Sequence, residues 1–289
     1  MSKPQLPPIT GGAIPAAEVR RFLRSSGMTI DELMLALIPE AQKFALPAIS
    51  NFFVGAVALG SSGSLYFGAN FEFVGQALSF TVHGEQAATA HAISCGEIGM
   101  QMLAVSAAPC GYCRQFLYEL TTASTLLILL PKTPPAFLTS LIPDAFGPAD
   151  LNVTAALMSP QSHGMTLDIA ADDVMSAALH AANTSYAPYS HSYAGVALKT
   201  ADGSIYTGGI AENAAFNPSM SPLEAAVVSL VISGGKSYTD IVDAVLVEMA
   251  DSKAGQADAT RAALEAITSV PLRAFEVHPH PNKKKKKKE

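Results

Sequence analysis

The sequence predicts an α/β protein built as two copies of a three-layer unit, a mixed sheet covered by helices, preceded by a small helical N-terminal segment. Two patterns carry this expectation: a strand-strand-helix-strand-helix-strand order of segments, and the return of that order later in the chain. Composition supplies the third observation. The 289 residues are 49% apolar and 15% charged, which suits a sizeable core and not disorder.

The elements follow in order. Thr29-Ile30-Asp31-Glu32 has the form of a capping box, and Leu33, Leu37 and Ala41 continue on one helical face. The pattern changes at Leu46-Pro47. Val54 to Leu59 and Ser64 to Gly68 read as strands joined through Gly60-Ser61-Ser62-Gly63. A helix is expected from near His83, a strand over Met102 to Ala107, a helix over Cys110 to Leu120 and a strand over Thr125 to Leu130, stopped by Pro131.

The repeat is read from residue identities. Gly55-Ala56-Val57-Ala58 and Gly63-Ser64-Leu65-Tyr66-Phe67-Gly68 return as Gly195-Val196-Ala197-Leu198 and Gly203-Ser204-Ile205-Tyr206-Thr207-Gly208, a shift of 140 that also maps Glu72 onto Glu212. Beyond that point Pro222-Leu223-Glu224 is set opposite His83-Gly84-Glu85 by slipping one residue. The expected layout is a helical segment 1–45, a first domain 46–131, a linker 132–171, a degenerate second domain 172–282 and a lysine-rich tail 283–289.

Charge and hydropathy narrow the function classes. Lys283 to Lys288 supply six of 18 basic residues, and without residues 283–289 the body has 12 basic against 23 acidic residues. Such a body lacks the basic face that phosphates require, which argues against a nucleic-acid partner, and the tail reads as a solvated run. Mean hydropathy is +0.28, yet the longest near-apolar runs, such as Leu126 to Leu130, are too short to span a bilayer. The first residues show no signal-peptide pattern, so a cytosolic location without a membrane partner is expected. Three cysteines cannot build a disulfide framework and suit a reducing compartment.

Chemistry concentrates in one constellation: His83-Gly84-Glu85, twenty-three intervening residues, then Pro109-Cys110-Gly111-Tyr112-Cys113. Two thiolates and one imidazole give zinc three ligands and leave a fourth tetrahedral position for water. Cys110 and Cys113 fall at an expected helix start, where free amides and the helix dipole favour thiolate. Glu85 sits two residues from a ligand, placed to take a proton from water and not to bind metal. The pattern matches the H-x-E…P-C-x-x-C signature of zinc deaminases. A C-x-x-C pair alone would also fit a redox motif, and Cys95 or His91 would be the nearest fourth ligands of a closed structural site. In the second copy no cysteine follows Cys113, so that copy cannot repeat the site.

At these residues the chain resembles the cytidine deaminases, specifically the two-domain homodimeric kind of bacteria and plants. The likeness extends through Ser50-Asn51-Phe52-Phe53-Val54-Gly55-Ala56, Phe67-Gly68-Ala69-Asn70-Phe71-Glu72-Phe73, Cys113-Arg114-Gln115-Phe116, Asp144-Ala145-Phe146-Gly147-Pro148 and Ala211-Glu212-Asn213-Ala214-Ala215-Phe216-Asn217-Pro218. It implies one Zn2+ per chain, in the first domain, held by His83, Cys110 and Cys113, with Glu85 as the catalytic group. It implies hydrolytic deamination of cytidine and 2'-deoxycytidine to the uridines with release of ammonia, as in pyrimidine salvage. Substrate contacts would come from Phe52, Asn70, Phe71, Glu72 and the Gly84 amide. Gly84 departs from the alanine usual there, and Gln86 stands where the small three-cysteine relatives carry arginine. The resemblance also implies a homodimer in which Phe146 and its neighbours close over the partner's site, while Asp144 to Pro148 also read as an ordinary turn between domains. Two other functions compete: a nucleic-acid cytidine deaminase, which would need a basic channel and stacking aromatics, and a non-catalytic zinc-stabilised RNA-binding or scaffold protein.

Overall fold

A two-residue strand β1 (Ala13–Ile14) and two helices, α1 (Ala16–Ser26) and α2 (Ile30–Ala41), open the computed structural model, which describes residues 6–279. The Lys283 to Lys288 run lies outside the described residues. Helix α2 starts at its capping box: Glu32 N–H donates to the Thr29 hydroxyl at 3.3 Å, and Thr29 N–H donates to the Glu32 carboxylate at 2.8 Å.

The first sheet adds β2 (Gly55–Gly60), β3 (Leu65–Ala69), β4 (Met100–Val105), β5 (Leu127–Leu130) and β6 (Thr133–Phe137), in the order β1-β3-β2-β4-β5-β6. Its helices are α3 (Gly84–Ser94), α4 (Gly111–Leu117) and the short α5 (Leu138–Leu141). Pairing is antiparallel except between β4 and β5, which α4 joins. The second sheet holds β7 (Met165–Thr166), β8 (Ala194–Thr200), β9 (Ile205–Gly209), β10 (Ile241–Met249) and β11 (Leu272–Pro279), in the order β7-β11-β10-β8-β9. With α6 (Asp173–Asn183), α7 (Pro222–Val228) and α8 (Ala257–Glu265) it repeats the plan, including one parallel pair, β10 with β11. Both sheets are mixed, as expected.

Close approaches of glycines establish the three layers. Ala56 pairs with Gly68 and Gly55 with Ala69, so Gly55 and Gly68 point to opposite faces. A Cβ on Gly55 would lie 2.7 Å from the Ile38 carbonyl at the end of α2, and one on Gly68 would lie 2.2 Å from the Gly84 carbonyl of α3. The sheet is therefore sandwiched between α2 and α3. In the second unit Gly195 faces α6 and Gly208 faces α7 in the same way. The first domain thus takes its first covering helix from the segment before residue 46. The 132–171 segment lends an edge strand to each sheet, β6 and β7, and Pro134 and Pro135 are tolerated because β6 has an unpaired outer side and its pairing with β5 is irregular between Thr133 and Ala136.

The helices correct the one-residue slip. Gly68 abuts the Gly84 carbonyl and the Ala88 amide, whereas Gly208 abuts the Pro222 carbonyl and the Ala226 amide. The N-caps are His83 and Ser221. The slip is two residues: Ser221 stands opposite His83, Leu223 opposite Glu85 and Glu224 opposite Gln86. The cause is a shorter loop, since the Phe71–Val82 bridge of the first unit returns as Ala211–Met220. The second copy has lost the histidine, the thiols and the glutamate together.

Residues from both units join one apolar core, with α3 packed against α7. Gly84 to Ala92 are all buried, so α3 is covered on every side. No helix among the described residues is long and apolar enough to cross a membrane.

Candidate functional site

The site forms where the starts of α3 and α4 meet beyond the end of β4. His83 is the N-cap of α3; its carbonyl accepts the Ala87 N–H at 2.9 Å, and its own N–H donates to the Gln86 side chain at 3.1 Å. Cys110 is the N-cap of α4 in extended conformation, and its carbonyl accepts the Arg114 N–H at 3.0 Å. Arg114 Nε donates back to the Pro109 carbonyl at 2.9 Å, and Nη1 to the Leu141 carbonyl at 2.7 Å, which fixes the turn before Cys110.

These starts bring the three donors together. His83 Nδ1 lies 3.2 Å from Cys113 Sγ and 3.6 Å from Cys110 Sγ, and all three ligand atoms lie within 4.8 Å of one another. Sulfur and nitrogen ligands on one tetrahedral zinc, at about 2.3 and 2.0 Å, are about 3.5 Å apart, so the donor set fits zinc in type and spacing. Among the described residues no second group of three such donors converges, in either unit. A hydrogen bond from the Cys113 thiol, helped by the Cys113 and Tyr112 amides, holds Cys110 at about 5 against the effect of burial. The same shared proton, together with burial, raises Cys113.

Glu85 is 4% exposed in the first turn of α3, close enough to Cys113 to share a hydrogen bond. Burial pushes its carboxyl up. Such a group accepts and returns protons without leaving the site. Gly84 is buried beside it, where an added Cβ would come within 2.9 Å of Val54 Cγ1.

The remaining expected residues form a second group beside the first. The Phe71–Val82 bridge sets Asn70 and Glu72 next to the segment that leads into His83. Asn70 accepts the Val54 N–H and donates to the Phe52 carbonyl, both at 2.9 Å. Glu72 accepts the Ile49 N–H at 2.7 Å, the Ser50 N–H at 2.8 Å and the Ser50 hydroxyl. Burial opposes the ionised form of Glu72, but these donors outweigh it and hold its carboxyl below the usual range. Asn70 and Glu72 therefore shape the loop that presents Phe52, a residue 59% exposed. The Phe71 ring is fully buried in the core, and its backbone bridges to Val82, the residue before His83. Cys95 and His91, the candidate fourth ligands, lie outside the donor group; His91 Nδ1 is instead 2.9 Å from the Phe67 carbonyl.

Sequence reasoning missed Ser50, Tyr112 and Glu119. Ser50 had a signal, because Ser190 holds Glu212 as Ser50 holds Glu72, at the shift of 140 already seen in the strands. Tyr112 lies 5.7 Å ring to ring from His83, and its hydroxyl donates to the Asn217 carbonyl at 2.7 Å. Glu119 is fully buried and faces the second unit.

Comparison with known proteins places this geometry in context. Two family models, both described as the cytidine and deoxycytidylate deaminase zinc-binding region, match residues 28–129 and 138–261. A cytidine deaminase of Photobacterium profundum is 48% identical over 252 residues, spanning 87% of this chain and 85% of that one. One from Aeromonas hydrophila is 48% identical over 255 residues, spanning 88% and 86%. A cytidine deaminase of solved structure from Mycobacterium tuberculosis is 33% identical, covers 42% of this chain and 99% of its own, and has a TM-score of 0.38.

Proposed function

Because this chain belongs to the zinc-binding cytidine and deoxycytidylate deaminase family, we propose that it hydrolyses cytidine and 2'-deoxycytidine to the corresponding uridines and ammonia. The observation that carries this is the convergence of His83, Cys110 and Cys113 beside the buried Glu85. Zinc bound by the three donors supplies the Lewis acidity that makes water a nucleophile near neutral pH. Glu85 takes the proton from that water and hands it to N3 of the ring as oxygen adds to C4. It then delivers the second proton to the departing amino group, so ammonia leaves and not amide ion. The raised carboxyl of Glu85 supports both transfers.

Substrate selection falls to the neighbouring group. Glu72, held ionised, repels a nearby phosphate and accepts hydroxyl donors, which favours a free nucleoside over a nucleotide or a strand. Asn70 and the Gly84 amide orient sugar and base, and Phe52 packs against the ring. Ile49, Phe52, Phe53 and Phe146 leave exposed apolar surface, which a second copy of the chain would cover in a homodimer.

The test is ammonia release from cytidine, deoxycytidine, cytidine monophosphate and a cytosine-containing oligonucleotide, with sizing in solution. Turnover of the two nucleosides by a dimer is expected. Turnover of the oligonucleotide alone would replace this function with nucleic-acid editing, and an active monomer would remove the second copy from the site.

A further inference from the structure

Helix α4 starts at its N-cap Cys110 and includes Cys113, and one side of it is docked on the unit in which no donor group converges among the described residues. Tyr112, Gln115 and Glu119, spaced three and four residues apart, follow one line along the helix and its C-terminal turn. Each is hydrogen-bonded to the loop 213–217. Tyr112 donates to the Asn217 carbonyl at 2.7 Å. The Gln115 carbonyl accepts from Asn213 Nδ2 at 2.9 Å, and Gln115 Nε2 lies 3.3 Å from Asn213 Oδ1. Glu119 accepts the Ala214 N–H at 2.9 Å and the hydroxyls of Tyr186 at 2.6 Å and Tyr189 at 2.5 Å.

Glu119 has no cationic partner among these contacts. A fully buried carboxylate is costly to place, and here all three of its donors come from the other unit. Its acceptors converge on donors 67 to 95 residues away in sequence, a length of chain that fold closure alone does not require to meet. Tyr112, at the opposite end of the line, lies between Cys110 and Cys113, with its ring 5.7 Å from that of His83.

We propose that the second unit is a positioning platform for the metal helix, with Glu119 as the positioning residue that sets the roll of α4 and so the placing of both thiols. Resting on the zinc reading of His83, Cys110 and Cys113, this gives the degenerate copy a task within its own chain, apart from any role in a dimer. Outer partners of this kind tune a metal site through its ligands without touching the metal.

The test uses the full-length protein loaded with cobalt or zinc, in three variants. Glu119→Gln sets an amide donor against donors, and Tyr186→Phe with Tyr189→Phe removes two donors and keeps the rings. Val245→Ala, in the core of the second unit, serves as the control for plain destabilisation. Both clamp variants should shift the visible bands of the cobalt protein and release zinc to a chelator at least tenfold faster than wild type. They should also lower kcat for cytidine with little change in KM, while Val245→Ala lowers Tm only. Should Glu119→Gln fail to fold, the double tyrosine variant carries the test alone. Clamp variants that lose Tm but keep wild-type bands and zinc release would overturn the proposal. A wild-type protein without thiolate-to-cobalt bands would instead overturn the metal site.

Discussion

Glu85 concentrates the proposed chemistry in one buried carboxylate, and its replacement separates metal binding from turnover. Glu85→Gln should keep zinc, measured by metal analysis, and lose activity by roughly a thousandfold, within the range for a general acid and base. A variant with substantial turnover would remove Glu85 from that role. Ser50 acts at one remove. Its hydroxyl donates to Glu72 and accepts the Phe52 N–H at 3.0 Å, so it holds the Glu72 carboxylate and the Phe52 loop together. Ser50→Ala should raise KM for cytidine several-fold, corresponding to about 1 kcal/mol, with kcat nearly unchanged. Ser50 could have been found in the sequence by extending the repeat, whereas the burial of the Phe71 ring is not written in its motif.

Helix starts decide the site at the scale of elements, and the two units begin their equivalent helices differently. Gln86 caps α3, and Glu224 caps α7 by accepting the Ser221 N–H at 2.6 Å. Burial pushes Glu224 up to about 7 from 4.5. A carboxyl raised in the folded state holds its proton more tightly there than in the unfolded chain. Stability is therefore lost as pH rises from about 4.5 to about 7, and the loss is complete above that. Glu224→Gln copies the cap that α3 already uses. It should raise stability at pH 8 by up to about 3 kcal/mol and flatten this part of the profile, as read by denaturant unfolding at several pH values. An unchanged profile would mean that Glu224 is solvated. Gly68 tests the other helix contact. A Cβ there would meet the backbone of Gly84 and Ala88 at 2.2 and 2.3 Å, so Gly68→Ala should cost about 3 kcal/mol or more and loosen zinc, seen as a lower Tm and faster release.

The two units are packed together, because α3 is buried between its own sheet and α7 and one core continues through both units. A fragment of residues 1–150 would expose the α3 surface that packs on α7, together with Glu119 stripped of its donors. It should show no cooperative thermal transition and no tight zinc, by circular dichroism and metal analysis. An independently folded, zinc-bearing fragment would show that the second unit is dispensable. The full chain should unfold in a single transition monitored by both zinc release and ellipticity.

The constellation of His83, Glu85, Cys110 and Cys113, the capping box at Thr29, the strand pairs and the doubling of the unit were determined by the sequence itself. Each is a local or evenly spaced pattern, and local patterns are written in neighbouring residues. Tertiary structure alone decided the two-residue slip that puts Leu223 opposite Glu85, because loop length shows only when both helices are seen against their sheets. It also decided the burial of Phe71, the use of Asn70 and Glu72 to hold the Phe52 loop, and the meeting of Glu119 with Tyr186, Tyr189 and Ala214. Those contacts join residues far apart in the chain through single side chains of ordinary type. Their chemistry appears only when folding has removed water from around them.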